Sequence, residues 1–170
     1  MNEEEASRAA FNFQLELLKA EIETVNATIR QGDEVTKSIK EWAITVWAGA
    51  VGGALAITDL RPYVWATAAI PLLFWLVDVW NRVVQRKFIW RGLVIMDFLN
   101  DERYQQSFRA QKLIGFTLMD IANRRDSSPD FEQFVSWRRV MLFKTLSGLY
   151  VGLSMISIAA WFLIRFYNKP

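Results

Sequence analysis

WAITVWAGAVGGALAIT (residues 42–58) and PYVWATAAIPLLFWLV (residues 62–77) flank the short sequence Asp59-Leu60-Arg61, and neither run contains a formal charge. A bilayer core about 30 Å thick is crossed by roughly 17 to 25 helical residues. Both runs lie at the short end of that range. The chain folds about the four-residue turn Asp59-Leu60-Arg61-Pro62, which predicts a tight antiparallel transmembrane hairpin. A third uncharged run, Thr145 to Ile164, spans 20 residues between Lys144 and Arg165. The expected fold is therefore an all-α integral membrane protein with three transmembrane helices, a hairpin plus one.

Working outward from the hairpin, Phe11, Leu15, Leu18, Ile22, Val25 and Ile29 step by four and three alternately. That is the seam of a coiled-coil-like helix, about 45 Å long at 1.5 Å per residue. It serves either packing on its own chain or self-association. Gly32-Asp33 predicts a break before a new helix, which carries Lys37 and Lys40 to the membrane at Trp42. Beyond Trp80 an apolar stripe (Val84, Phe88, Ile95, Leu99) predicts one long helix ending near Asn100-Asp101, able to pack on the N-terminal segment. Asp101 to Lys112 reads as a helix. Ser128-Pro129-Asp130 reads as the start of another, running through Trp137 into the third apolar run. The expected organisation is 1–40 N-terminal amphipathic helix, 41–81 hairpin, 82–140 cytoplasmic helical region, and 141–170 third span with a short tail.

The candidate functional positions follow from the cost of polar groups in lipid. Gly49 and Gly53, and again Gly148 and Gly152, form G-x-x-x-G pairs that let helix backbones approach closely. They could serve the hairpin itself or a neighbouring subunit. Asp78 is costly in lipid unless it is paired. Arg82, four residues on, makes a structural salt bridge one reading and a pore-lining carboxylate the other. Ser147, Tyr150, Ser154 and Ser157 lie along one side of the third helix, suited to interhelical hydrogen bonds or to a channel wall. Arg82, Arg86, Lys87 and Arg91 follow the second span as a basic cluster for anionic lipid or an anionic ligand. Arg124-Arg125 and Arg138-Arg139 add charge without a stacking motif, so nucleic acid or a nucleotide is the lesser expectation.

Composition agrees with a protein partly in lipid and partly in water: 52% of residues are hydrophobic and 22% charged. Six of the eight Trp fall between Trp42 and Trp90, and Trp favours membrane interfaces. The chain has neither Cys nor His, and it contains no phosphate-binding glycine loop, metal cluster or Ser/His/Asp set. No enzymatic activity and no cofactor are expected. The acidic N-terminus lacks the basic start of a secretory signal, so no cleaved peptide is expected. Lys and Arg gather before the first span and between the second and third. This predicts a bacterial inner-membrane protein with a cytoplasmic N-terminus and an outer C-terminus. The partners expected are the bilayer, further copies of the chain and a cytoplasmic protein.

The entry Ile39-Lys40-Glu41-Trp42-Ala43-Ile44-Thr45, the Asp59-Leu60-Arg61-Pro62 turn and the basic exit helix from Arg82 resemble the layout of the SLATT type of small bacterial membrane proteins. The resemblance spans about Leu18 to Leu99, and the third helix is an addition to it. It implies a membrane-permeabilising effector of antiviral defence, and the two G-x-x-x-G helices and the coiled-coil seam supply the means to assemble a homo-oligomer that forms or gates a pore. The residues themselves also admit a non-conducting anchor that recruits a cytoplasmic partner, or a sensor of an anionic ligand.

Overall fold

A computed structural model describes residues 2–123 and 126–167, and among these the chain is all-helical, with no strand. Helix α1 spans Glu3–Ala56, a 3-10 helix spans Thr58–Ala68, and α2 spans Ala69–Asn100. Then come α3 (Glu102–Ala110), α4 (Pro129–Phe134), α5 (Trp137–Met141) and α6 (Lys144–Tyr167). The chain divides into two compact units. One comprises Met1–Gln31 with Val84–Val135, the other Gly32–Val83 with Ser136–Pro170.

Three boundaries depart from the sequence expectation. Helix α1 runs through Gly32-Asp33 without a break. A mid-helix glycine costs only about 1 kcal/mol relative to alanine. Here the Asn81 amide donates to the Gly32 carbonyl (3.2 Å) and the Thr36 hydroxyl (3.0 Å), which fixes both sides of the site. The four-residue turn is instead an 11-residue 3-10 helix entered through an extended Ile57. Pro62 lies within it, where its missing N–H falls outside the α-ladder of α2. Finally, the helix that begins at Pro129 stops at Phe134, and α5 intervenes before α6. In one straight helix at about 100° per residue, Phe131 and Val140 would point to opposite sides. Breaks at Val135-Ser136 and Leu142-Phe143 let both be buried.

In the first unit the N-terminal seam is filled by its own chain. Phe11, Leu18 and Val25 pack with Ile95 and Phe98 of α2 and with Leu113, while Leu15, Ile22 and Ile29 lie at the margin, half-buried. The buried face of α1 is thus rotated toward Gln14 and Glu21. Gln14 accepts the Leu113 N–H at 3.1 Å. Glu21 is fully buried, with its Oε1 2.8 Å from Arg91 Nε and its Oε2 accepting the Met119 N–H at 2.9 Å. Arg91 also donates to the Thr117 carbonyl and stacks over Phe116. The segment after α3 reaches these partners through left-handed Gln111, Gly115, Met119 and Asn123.

Asp126 ties the far end of this unit to α2. Its Oδ2 accepts the Trp90 indole N–H (2.7 Å) and its Oδ1 the Ser128 N–H (2.9 Å). Burial pushes the carboxyl up, but the hydrogen bonds from Ser128 and Trp90 outweigh it and hold the group below its usual range. A depressed folded value gives stability that is present above the unfolded value of about 3.9 and lost as pH falls through the folded one. The amides of 126–131 are therefore expected to lose hydrogen-exchange protection on acidification below that value. Asp126→Asn should lack this step.

Two helical runs are long and apolar enough to cross a membrane, one within Thr58–Asn100 and the other Ser147–Phe166. Only 28% and 17% of their most apolar stretches are buried, whereas the core helix of a water-soluble protein would be mostly buried. The first apolar run differs. Because α1 ends at Ala56, only 15 residues from Trp42 are helical. They cover roughly 22 Å at 1.5 Å per residue, less than the bilayer core.

Candidate functional site

The second unit is held together by a polar seam. Along α6, Tyr150, Ser154 and Ser157 recur at helical spacing and all are buried. Each meets a group from the hairpin. The Tyr150 hydroxyl donates to Asp78 Oδ2 at 2.9 Å, and both residues are completely buried. Ser154 donates to the Ala68 carbonyl at 3.1 Å. Ser157 accepts the Trp47 indole N–H at 2.8 Å, and its oxygen lies 2.9 Å from the Thr67 hydroxyl. Thr67 also reaches the Val64 carbonyl, so the end of the 3-10 helix is joined to α6. In lipid, such bonds replace the water that would otherwise satisfy these groups. Ser147, the fourth member of the expected stripe, bonds back to the Phe143 carbonyl at the start of α6.

Asp78 is thus partnered by Tyr150, while Arg82 reaches Asp33 at 3.4 Å. The second carboxyl oxygen, Oδ1, and the Trp75 indole nitrogen are buried without a hydrogen-bond partner among the described residues. Below them Val79 and Val140 form an apolar contact flanked by Trp75, Val83 and Met141.

No protein-family model, curated protein or solved structure matches the chain. The site is therefore read from its own chemistry.

The residues of the basic cluster have different partners. Arg91 is buried against Glu21, Arg86 stacks on Phe134 at 4.1 Å, and Arg82 faces Asp33. Lys87 is half-buried, with its carbonyl accepting from Asn123. Arg124 and Arg125 lie outside the described residues. The glycine pairs are not consumed by the hairpin either: a Cβ added at Gly49, Gly53, Gly148 or Gly152 would meet nothing within 4 Å. Among the described residues, no group of acidic side chains is placed to hold a metal ion.

Sequence reasoning missed Trp47, Thr67 and Glu21. Trp47 read as an interfacial ring, and Thr67 was hidden in a small-residue run. Glu21 carried a signal: it lies three residues after Leu18 and four before Val25, on their face of the helix.

Proposed function

We propose that this chain is a self-associating, three-span protein of a bacterial inner membrane that acts as a non-conducting anchor and assembly subunit. The observation that carries this reading is the polar seam: Tyr150, Ser154 and Ser157 are spent on the chain's own hairpin. The outward faces of α6 that remain, such as Met155, Ile156 and Leu163, are apolar and suit lipid or another helix, not a water-filled lumen. The short run at Trp42 supplies the third crossing by thinning the bilayer locally. The distribution of Lys and Arg puts the N-terminus and the first unit in the cytoplasm. There, exposed Phe13, Met96 and Phe108 offer surface for a protein partner.

Association through the open glycines makes a clean prediction. Gly49→Leu combined with Gly148→Leu should leave the monomer folded, because both glycines are exposed and an added Cβ meets nothing within 4 Å. The oligomer seen by crosslinking in native membranes should be lost. Persistence of the oligomer would remove the glycine faces from the reading.

A second reading, a pore-forming effector similar to SLATT proteins, draws support from the first run having only 15 helical residues, which strains the bilayer wherever copies gather. Induced expression with a membrane-potential dye separates the two. The anchor reading expects an intact potential at high expression, and collapse would favour the pore.

A further inference from the structure

We propose that residues 136–143, at the entrance to α6, form an interfacial belt that binds anionic phospholipid headgroups. Arg138 and Arg139 take the phosphates, while Trp137, Leu142 and Phe143 sit in the acyl boundary. The inference rests on the membrane reading above but assigns the lipid-binding role to residues outside the basic cluster that follows the second span.

The segment joins one buried anchor to an exposed surface that is both apolar and basic. Val140 is completely buried against Val79, which pins the five-residue helix α5 to α2. Around it, Trp137 is 57% exposed, Leu142 78% and Phe143 42%, and Arg138 and Arg139 are exposed as well. Neither arginine has an ion-pair partner among the described residues. Arg138 only approaches the Trp137 ring, at 5.9 Å. Arg82 and Arg91, by contrast, face carboxylates. The segment carries no acidic residue of its own.

Its level is set by the contact with Val79. The uncharged run of the second span ends at Val77, and Trp80 beside it is 73% exposed. Residues 136–143 therefore lie where hydrocarbon gives way to headgroups. An exposed indole with an apolar body and a polar N–H is suited to that depth, and paired arginines match phosphate geometry.

Continuity decides the occupant. The segment runs directly into α6, which exposes Val151, Met155, Ile156, Ile158, Phe162 and Leu163. Whatever covers Leu142 and Phe143 must continue along these side chains, and a bilayer does so. The sign of the charge then selects anionic lipid, at around 1 kcal/mol per basic residue near the surface.

The test uses the full chain reconstituted into vesicles of phosphatidylglycerol and phosphatidylcholine in equal amounts. The protein is re-extracted in detergent and the retained lipid measured by mass spectrometry. Wild type should retain phosphatidylglycerol preferentially. R138Q/R139Q should reduce that preference by up to roughly 30-fold, the equivalent of two such charges at a tenfold change per 1.4 kcal/mol. R8Q/R109Q, which removes two exposed charges from the other unit, should leave it unchanged. A preference that is absent in wild type, or that survives R138Q/R139Q, overturns the inference. So does displacement of the lipid by millimolar inorganic phosphate, which would mark a free-anion site. Release of the wild-type protein from membranes by alkaline wash would instead defeat the membrane reading itself.

Discussion

Glu21→Ala should destabilise the unit built from residues 1–31 and 84–135 by about 3–5 kcal/mol, the range for breaking a buried ion pair from one side. The Glu21 and Arg91 side chains are only 0% and 4% exposed, so water cannot replace the lost carboxylate. The substitution leaves a guanidinium buried beside Phe116 and removes the acceptor for the Met119 N–H. Hydrogen exchange on the full chain in detergent is the appropriate measurement, because it reports local opening without assuming a single cooperative transition. Protection should fall first in 113–121 and then in the N-terminal part of α1. The double variant Glu21→Met with Arg91→Met should recover most of the loss, since an apolar pair of similar volume avoids the desolvation cost. A loss below about 1 kcal/mol in Glu21→Ala would mean that the pair does not hold this unit together.

That pair also shows where the sequence was legible. The periodicity of Phe11, Leu18 and Val25 located the packed helix, and its partner in α2, around Ile95, was legible from the apolar stripe. The face was misjudged because a hydrophobic count assigns Leu15, Ile22 and Ile29 full weight and excludes charge. The true face carries Gln14 and Glu21, which are affordable there only because Leu113, Met119 and Arg91 arrive from elsewhere in the chain. Long-range polar pairing leaves little periodic trace. The end of α2 at Asn100 and the Ser128-Pro129 cap were legible because their causes are local, the cap hydroxyl accepting the Phe131 N–H. The continuity of α1 at Gly32 was not, since it depends on Asn81, 49 residues away. The polar stripe of α6 was visible by spacing alone, but its partners Trp47 and Thr67 were not. Each looked like an ordinary member of an apolar run.

Tyr150→Phe is the sharper test of the polar seam, because it removes one oxygen and nothing else. The ring stays, no cavity opens, and Asp78 loses the only hydrogen-bond donor it has among the described residues. A buried acceptor left without a partner costs about 1–3 kcal/mol, and more when it is charged, so a loss of about 3 kcal/mol is expected in the docking of α6. Asp78→Leu should cost less, since it strands only a phenol. Asp78→Leu with Tyr150→Phe should approach wild type, because both polar groups are then gone. The chain has no cysteine, so a pair introduced at Thr67 and Ser157, whose oxygens lie 2.9 Å apart, gives a disulfide readout of docking in native membranes. Crosslinking should be efficient in an otherwise wild-type background, reduced by Tyr150→Phe and restored by the double change. Equal crosslinking in all backgrounds would mean that the seam does not hold α6. The same variant bears on function. In an anchor, an undocked α6 leaves the membrane potential intact. In a pore, an Asp78 freed from Tyr150 becomes available to a lumen between copies, and Tyr150→Phe should then raise conductance. A leak that appears only in Tyr150→Phe, and disappears with Asp78→Leu, would turn the reading of this seam from structural lock to gate.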